Sequence, residues 1–385
     1  MEKLYFKEEH FMLRDMVREF SKKELLPIAQ KLDESSSFPH ESINKMRELG
    51  LMGIPWSEKY NGTGMDTLAL VIAIEEIGKI CCSTAATMMA HTSLGTAPIA
   101  MFGTDNQKDK YLPKLATGEI IGAFGLTEPN AGSDAGNTQT KAILDGDEYI
   151  VNGQKIFCTN AGFAGLIIFT AVLINDGQEK GVSAFIVESN TKGLSIGKPE
   201  KKMGWKASDT RSIYFENMRI PKENILGTPK KGFKQFLKTL TGGRITIGAL
   251  ALGTSQGAYE LALRYSKERE AFGKTINQFQ SITFKLADMA TNIEAAKHLV
   301  YHAAWKKDNN FNVIKEAAMA KLFSSETAMS VATEAIQIHG GFGYIKEYNV
   351  ERFFRDAKIL EIGEGTSEIQ RIIIGREILK NINID

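Results

Sequence analysis

The chain has 385 residues, and its 47 Lys and Arg nearly cancel its 46 Asp and Glu. This balance excludes the strongly basic surface that proteins use to bind nucleic acid or anionic membranes. The length exceeds what one hydrophobic core usually holds, so we expect two or three packed regions. No apolar run is long enough to cross a bilayer, and we expect no membrane insertion.

The first ten residues and the cysteines indicate a reducing compartment. Residues 1–10 lack the apolar core of a signal peptide and the Arg-rich, acid-poor composition of a transit peptide. We therefore expect a cytoplasmic protein. Cys81, Cys82 and Cys158 are odd in number and show no CxxC spacing, which favours reduced thiols over a disulfide or a zinc site.

Residues 1–119 have helical patterns. Leu13, Val17 and Phe20 recur at helical spacing with charged residues between them, which predicts an amphipathic helix. The apolar run Ile72–Ile77 predicts a further, largely buried helix. We therefore predict a helical N-terminal domain.

Residues 120–228 change to short β-branched and aromatic runs separated by turn clusters. Val182–Val187 is one such run, and Asn152-Gly153 is one such turn. These signals at close spacing predict a small antiparallel β-barrel. No alternating βα pattern is present, so we do not expect a Rossmann fold.

Residues 229–385 return to helical periodicity. The segments Arg244–Glu270, Ile276–Lys307 and Val313–His339 are long enough for the helices of an antiparallel bundle. The predicted fold class is therefore α+β, with a helical N-terminal domain, a β-barrel middle domain and a C-terminal helical bundle.

Glu364 stands between two glycines, just ahead of a predicted helix over Ile369–Leu379. Ser367 and Gln370 have the spacing of a capping box, which explains both residues without a functional site. Capping does not explain Glu364, whose flanking glycines permit close approach of a ligand and unusual backbone angles. Taken alone, Glu364 fits a solvated loop carboxylate better than a functional one.

Other candidate motifs are weak on their own. Residues 123–134 form a loop of small and hydroxyl residues whose backbone N–H groups can approach an anion or a ring, but most loops have this composition. His298 and His302 share a helical face without a third ligand, so we expect no metal. The run His339–Tyr344 follows a helix and not a strand, so it does not meet the dinucleotide-binding fingerprint.

Six motifs occurring in order are far more specific than any one of them. They are LTEPNAGSD, NGQKIFCTNAG, RIPKENILG, EREAFGK, QIHGGFGY and RDAKILEIGEGTSEIQR. Together they resemble the acyl-CoA dehydrogenase family from Phe6 to Leu379, and most closely its bacterial butyryl-CoA or short-chain members. The fold of that family, with a C-terminal four-helix bundle, agrees with the three regions predicted above.

The resemblance implies FAD bound between the β domain and the C-terminal bundle. The isoalloxazine and pyrophosphate would be lined by Phe124, Leu126, Thr127 and Ser133, and the ring face by Phe157, Cys158 and Thr159. A neighbouring subunit's FAD would be held by Arg269, Phe272, Gln280, Gln337, Gly340, Gly341, Thr366 and Glu368. The acyl-CoA would be contacted by Ser133, Thr241, Arg244, Gly363 and Gly365.

The resemblance also implies a reaction. Glu364 would be the base that removes the α-proton of a short or branched acyl-CoA, with FAD as hydride acceptor and electron-transfer flavoprotein as the next acceptor. Such an enzyme would be a homotetramer of fatty acid or amino acid catabolism. The alternatives are an enoyl-CoA reductase running the reaction in reverse, an oxidase, a flavin monooxygenase and a non-catalytic helical scaffold.

At four positions the chain departs from residues common in the family. Phe157 stands for a Trp and Thr241 for an Asp, while Gly243 stands where some relatives keep the base. Gly363 stands for a Tyr immediately before the base. We expect this glycine to leave room for an acyl group that is branched or cyclic near Cβ. The alternative is that a side chain from residues 92–99 fills the gap.

Overall fold

The computed structural model describes residues 2–175 and 177–380, apart from the side chains of Glu2 and Lys3. The N-terminal region is helical, and π-helical stretches at Ser21–Leu25 and Ala90–Thr96 continue two of its helices. Its α-helices are α1 (Glu2–Tyr5), α2 (Glu8–Phe20), α3 (Ala29–Ser35), α4 (His40–Glu48), α5 (Thr67–Gly78), α6 (Cys82–Met89), α7 (Ala97–Phe102) and α8 (Asp105–Ala116).

The middle region is a mixed sheet. Its strands are β1 (Ile121–Gly125), β2 (Lys141–Asp145), β3 (Glu148–Thr159), β4 (Ala164–Asn175), β5 (Gln178–Glu188), β6 (Leu194–Pro199), β7 (Thr210–Pro221) and β8 (Ile225–Leu226). Their order is β6-β7-β3-β2-β4-β5-β8, with β1 also paired to β4. Most neighbouring strands pair antiparallel, as expected, but β4 is parallel to both β1 and β2. Strand direction alternates along β2, β3 and β4, so β4 runs the same way as its neighbour β2.

The C-terminal region is again helical. Its elements are α9 (Gly232–Glu268), the short strands β9 (Glu270–Ala271) and β10 (Lys274–Thr275), α10 (Gln280–Asp308), α11 (Ile314–His339), α12 (Val350–Lys358) and α13 (Ser367–Leu379). Helix α9 packs against α10 and α11, and α11 also packs against α13. The predicted bundle helices are confirmed, although α9 begins earlier than expected, at Gly232.

Helix α5 is capped from two sides. The Asp66 carboxylate accepts a hydrogen bond from the Ala69 N–H at 2.9 Å. The Asp308 carboxylate, at the end of α10, accepts from the Thr67 N–H at 2.8 Å and the Leu68 N–H at 3.0 Å. A carboxylate at a helix N-terminus satisfies free N–H groups and matches the helix dipole. These bonds therefore fix the N-terminal helices to the C-terminal bundle.

One large core joins the N-terminal and C-terminal helices. Val17 of α2 and Ile74 of α5 belong to the same buried cluster as Leu250 of α9 and Val300 of α10. Burial of such side chains is the main favourable term in folding. The assignment of residues 1–119, 120–228 and 229–385 to separate domains stays a prediction.

The sheet has its own core and a junction to the helices. Phe169 stacks on Phe215 with ring centres 4.5 Å apart. A junction core places Leu115 of α8, Ile186 of β5 and Phe236 of α9 together. Along the described residues, no helix is both long and apolar enough to cross a membrane.

Candidate active site

The Glu364 turn connects the end of the α12 region to α13. Glu364 has φ +54° and Gly365 has φ +95°, so two successive residues adopt left-handed backbone conformations. For a Glu this conformation costs roughly 1–3 kcal/mol and persists where neighbouring groups hold it. Gln370 Nε2 donates to the Gly365 carbonyl at 2.7 Å, and Lys321 Nζ donates to the same carbonyl at 2.9 Å. Side chains of two helices therefore hold the turn.

The start of α13 differs from the capping box that the sequence predicts. Thr366 is the N-cap, and its hydroxyl accepts from the Ile369 N–H at 3.4 Å. Ser367 is the first residue of the helix and not its cap, and the Gln370 side chain turns back to the Gly365 carbonyl. The proposed Ser367–Gln370 box was therefore wrong, because the glycine before Thr366 lets the chain enter the helix one residue earlier.

The Glu364 carboxylate lies against the backbone of α9. Both of its oxygens are buried, and neither has a hydrogen-bond partner among the described residues. A Cβ atom built on Gly243 would collide with Oε2, and Leu94 Cδ2 lies 3.3 Å from the same Cβ position. The missing side chain of Gly243 therefore makes the space that the carboxylate occupies.

Burial raises the pKa of Glu364 to about 7, against the positive charges of Arg244 and Lys321, which lower it. Arg244 follows Gly243 on α9, is buried, and has an Nε atom without a partner among the described residues. Burial lowers the pKa of Arg244 while the charge of Glu364 raises it, yet a guanidinium stays protonated in proteins. A carboxylate with raised proton affinity therefore lies beside a fixed positive charge.

The space beside Gly363 is open near its Cα. Apart from Gly363 and its two chain neighbours, the one heavy atom of the described residues within 4 Å of a Cβ position on Gly363 is the Ile359 carbonyl oxygen, at 3.4 Å. No side chain of residues 92–99 lies that close, which favours the open-gap interpretation over the filled one. Thr241, on α9, donates its hydroxyl to the Leu237 carbonyl at 3.1 Å within its own helix.

The predicted flavin loop is anchored by a buried ion pair. Lys155 Nζ lies 2.6 Å from Glu128 Oε1 and donates to the Leu126 carbonyl at 3.3 Å. Glu128 also accepts from the N–H groups of Gln139 and Thr140, at 2.6 and 3.1 Å. These bonds therefore hold the shape of the loop. Both residues lie in the motifs given above, but nothing in the sequence pairs them.

The other loop residues are arranged around this anchor. The Thr127 carbonyl accepts from the Ile156 N–H at 2.8 Å, which joins the loop to β3. Ser133 is exposed at the far end of the loop. The Phe124 ring stacks on Phe236 with centres 4.1 Å apart, so this side chain packs into the junction core.

Phe157 projects from a bulge in β3. The register of β3 against β7 shifts between Lys155 and Cys158, and Phe157 has φ +56° with 62% of its surface exposed. A bulge turns a side chain away from its usual alternation. Thr159 is half-buried, whereas the Cys158 thiol is buried and desolvation raises its pKa to about 12. A ligand here would meet Phe157 and Thr159, but of Cys158 only the backbone.

Three of the residues predicted to hold a neighbouring subunit's FAD line a groove of about 500 Å³. Arg269 lines it, with its guanidinium 5.7 Å from the centre of the Phe342 ring, together with Gly340 and Gly341. Neither glycine has a neighbouring atom near its Cβ position. Phe272 is 95% exposed nearby in sequence, with φ +53°. The other predicted residues lie outside the lining of the groove: Gln280, Gln337 and Glu368 are exposed, and Thr366 is half-buried.

Comparison with known proteins identifies the family. Residues 7–119, 123–218 and 230–379 match the models of the acyl-CoA dehydrogenase N-terminal, middle and C-terminal domains. The chain is 54% identical to the probable acyl-CoA dehydrogenase YngJ of Bacillus subtilis (strain 168), over 97% of this chain and 98% of that protein. The chain therefore belongs to the acyl-CoA dehydrogenase family and is an oxidoreductase of that family.

Within the family the likeness is to short-chain members. The chain is 49% identical to the short-chain specific acyl-CoA dehydrogenase of Clostridium acetobutylicum, over 97% of this chain and 98% of that protein. It is 46% identical to the acryloyl-CoA reductase (NADH) of Anaerotignum propionicum, over 97% and 95% of the two chains.

Solved structures agree. Butyryl-CoA dehydrogenase from Megasphaera elsdenii has a TM-score of 0.94 at 44% identity, covering 97% of this chain and 99% of that one. A structure from work on the electron transferring flavoprotein of Acidaminococcus fermentans has a TM-score of 0.95 at 46% identity, covering 98% and 99%. Acyl-CoA dehydrogenase complexed with FAD from Bacillus anthracis has a TM-score of 0.92 at 35% identity, covering 97% and 67%.

Proposed function

We propose that this protein is a FAD-dependent enzyme that introduces an α,β-double bond into a short or branched acyl-CoA, with Glu364 as base. The observation that supports it is the buried, unpartnered Glu364 carboxylate held in place by the α9 backbone. Its pKa of about 7 makes it a stronger base than an exposed carboxylate, and it is still partly ionised at neutral pH.

The chain's own residues account for the proton step. An oxygen of Glu364 takes the α-proton, the Cα–H bond breaks, and its electron pair moves toward the thioester carbonyl. Arg244 favours the ionised form of the base before the step, because an opposite charge nearby stabilises a carboxylate. The apolar wall that includes Leu94 and the α9 backbone keeps water away from the carboxylate. FAD, when bound, supplies the acceptor for the β-hydride.

The residues present fit a flavin. The exposed ring of Phe157, set in its bulge beside Thr159, is suited to contact a flat cofactor ring. The groove around Arg269 offers a guanidinium next to two glycines that leave room for close approach. A guanidinium binds phosphate oxygens in bidentate fashion. Phe157, Thr159 and the loop over 124–133 would hold the isoalloxazine and pyrophosphate.

The groove also supports an oligomer in which subunits share cofactors. The exposed Phe272 and the open groove at Arg269 are suited to a neighbouring copy and its FAD. The proposed assembly is therefore a homotetramer in which a neighbouring subunit's FAD is bound by Arg269, Gln280, Gln337, Thr366 and Glu368. An Arg269→Ala variant should hold FAD more weakly. A monomer in sedimentation that keeps stoichiometric FAD would contradict this arrangement.

The electron acceptor distinguishes two directions of the reaction. Electron-transfer flavoprotein is the proposed acceptor, supported by the structural likeness to a protein studied with such a flavoprotein. The second candidate is reduction of an enoyl-CoA, favoured by the likeness to an acryloyl-CoA reductase (NADH). The same base serves both directions, since it then returns its proton to the α-carbon.

The test is anaerobic titration of the purified holoenzyme with straight and branched acyl-CoAs, followed by loss of visible flavin absorbance. Wild type should bleach with at least one short acyl-CoA. A Glu364→Gln variant should stay yellow and bind acyl-CoA, with reduction slowed at least ~10²-fold. An exposed control, Glu347→Gln, should behave as wild type. If the flavin of Glu364→Gln is reduced at close to the wild-type rate, Glu364 is not the base. If acyl-CoA does not bleach the flavin but the enzyme reduces an enoyl-CoA with NADH, the second candidate is supported.

A further inference from the structure

Lys321 is a buried cation in the middle of α11. Its side chain is 0% exposed, which is rare for a lysine without a paired carboxylate. No carboxylate of the described residues lies within ion-pair distance of its ammonium group. The hydrogen bond that the ammonium makes is to the Gly365 carbonyl, at 2.9 Å. A desolvated charge is costly, so its position next to the base requires an explanation.

The Gly365 carbonyl is the point at which two helices reach the base. It accepts from Lys321 Nζ of α11 and from Gln370 Nε2 of α13, at 2.9 and 2.7 Å. Two donors satisfy both lone pairs of a carbonyl oxygen. This carbonyl belongs to the residue directly after Glu364, in the turn where both residues have positive φ. Fixing it fixes the direction in which the Glu364 side chain leaves the backbone.

The charges around Lys321 come from four elements. Glu364, Glu361 and Glu368 attract its ammonium group, whereas Arg244 of α9 repels it. Burial outweighs these attractions and lowers the pKa of Lys321 to about 8, so the group is mainly protonated at neutral pH. The positive charge of Lys321 in turn lowers the pKa of Glu364, in the same direction as Arg244 does.

We propose that Lys321 is a positioning residue for the base: its hydrogen bond holds the Glu364–Gly365 turn, and its charge favours the ionised form of Glu364. The inference rests on the proposed role of Glu364. A neutral donor would satisfy the Gly365 carbonyl equally well, at a lower cost of desolvation. The retained charge is therefore explained by its attraction to the nearby Glu364, and not by the hydrogen bond alone.

The test isolates proton removal from hydride transfer. An acyl-CoA with sulfur at the β position can lose its α-proton but has no β-hydride to give. Exchange of its α-hydrogen in D₂O, followed by mass spectrometry on the holoenzyme, reports the base directly. The rate is measured across the pH range in which Glu364 titrates, together with acyl-CoA affinity, for Lys321→Met, Lys321→Gln and Lys321→Arg. Lys315→Met, at a half-buried position near the start of α11, is the matched control.

The midpoint of the exchange profile should move to higher pH in Lys321→Met and Lys321→Gln, because a lost cation strengthens proton binding by Glu364. A shift of about one pH unit corresponds to about tenfold slower exchange below the midpoint. Lys321→Arg should restore the wild-type midpoint, and Lys315→Met should leave it unchanged. The affinity for acyl-CoA should change by less than about twofold in these variants, well under the tenfold that corresponds to 1.4 kcal/mol.

Two results would overturn the proposal. One is a folded Lys321→Met protein that binds acyl-CoA and keeps the wild-type midpoint. The other is loss of folding in both neutral variants, which would show that Lys321 supports the fold and not the base. Failure of the proposed function has a separate signature, since Glu364→Gln would then exchange the α-hydrogen with Lys321 intact.

Discussion

Gly243 and Glu364 occupy one space between them: the Glu364 carboxylate stands where a side chain on residue 243 would begin. A Gly243→Ala methyl would collide with a buried carboxylate that is fixed by a constrained turn. We expect Gly243→Ala to slow flavin reduction by acyl-CoA at least ~10²-fold, as loss of a general base does, while FAD stays bound. Stopped-flow reduction checks this.

The control for this substitution is the adjacent residue of the same helix. A Cβ on Gly242 would meet only the flexible end of Lys307, at 3.3 Å. The flavin of Gly242→Ala should therefore be reduced by acyl-CoA at close to the wild-type rate. The variant should also be more stable, because replacing a glycine inside a helix by alanine favours folding by roughly 0.5–1 kcal/mol. Equal rates in the two variants would show that the carboxylate does not depend on the glycine at 243.

The raised pKa of Glu364 predicts a pH dependence of stability. The folded protein keeps Glu364 protonated up to about pH 7, whereas the unfolded chain loses that proton near the ordinary pKa of a glutamate, 4.5. Between these pH values the folded state binds more protons than the unfolded chain. The contribution of Glu364 to the free energy of unfolding therefore falls as the pH rises, and the fall is complete above the pKa of the folded protein. The free energy of unfolding of Glu364→Gln should therefore rise relative to that of wild type from pH 4.5 to pH 7, and the difference should then stay constant.

Denaturant unfolding of both proteins at several pH values measures this difference. Glu347→Gln, an exposed carboxylate, is the control and should show no such trend. A difference that is flat across the same pH range would mean that Glu364 does not carry a raised pKa in the folded protein.

The Lys155–Glu128 pair predicts a loss of both stability and cofactor binding. Lys155→Met leaves Glu128 buried without its cation, and breaking a buried ion pair from one side costs roughly 3–5 kcal/mol. Because Lys155 also bonds the Leu126 carbonyl, the variant should bind FAD more weakly. Denaturant unfolding and FAD titration of the apoprotein measure the two effects.

An ion pair at the surface of the same middle region is the comparison for Lys155. Lys222→Met breaks the pair of Lys222 with the exposed Asp147, and exposed pairs contribute about 0–1 kcal/mol. It should change neither measurement appreciably. Unchanged FAD affinity in Lys155→Met would show that the pair does not shape the loop.

The open space beside Gly363 predicts a preference for acyl groups that are broad near Cβ. Each methylene that fills an apolar gap contributes roughly 0.8 kcal/mol, about a factor of four in affinity. Isovaleryl- and cyclohexanecarbonyl-CoA should gain in kcat/KM relative to butyryl-CoA in wild type and lose that gain in Gly363→Tyr. Gly375→Tyr, at an open position on α13, is the control. A strong wild-type preference for linear chains, unchanged by Gly363→Tyr, would show that the gap does not select the substrate.

The helices could be predicted from the sequence because they depend on local patterns, whereas the role of Glu364 as candidate base came from the resemblance of its motif to the family. The apolar spacing of α9, α10 and α11 follows helical periodicity, which needs no knowledge of tertiary contacts. Glu364 stood out since a carboxylate between glycines has no explanation in helix capping. The assignment of the cap to Ser367 failed because Ser and Thr are both good caps, and only the backbone entry angle selects Thr366.

The parts that were missed depend on residues distant in sequence. The contact of Gly243 with Glu364 and the bond from Lys321 to Gly365 join α9 and α11 to one turn. The bulge that exposes Phe157 is a property of the β3–β7 register. The parallel pairing of β4 with β2 reflects strand order and not composition. No local pattern contains this information.

Helix α9 contributes side chains to two hydrophobic cores, so the two cores should unfold together. Its 37 residues place Phe236 in the junction core and Leu250 in the large helical core, with Gly243 between them. Opening either core would therefore disturb the part of α9 that lies against the Glu364 carboxylate. Backbone amides around residue 243 should exchange with solvent deuterium only through global unfolding, whereas those around the exposed Phe272 should exchange through small local openings. We therefore expect the stretch of α9 beside Glu364 to be among the slowest of the described segments to open.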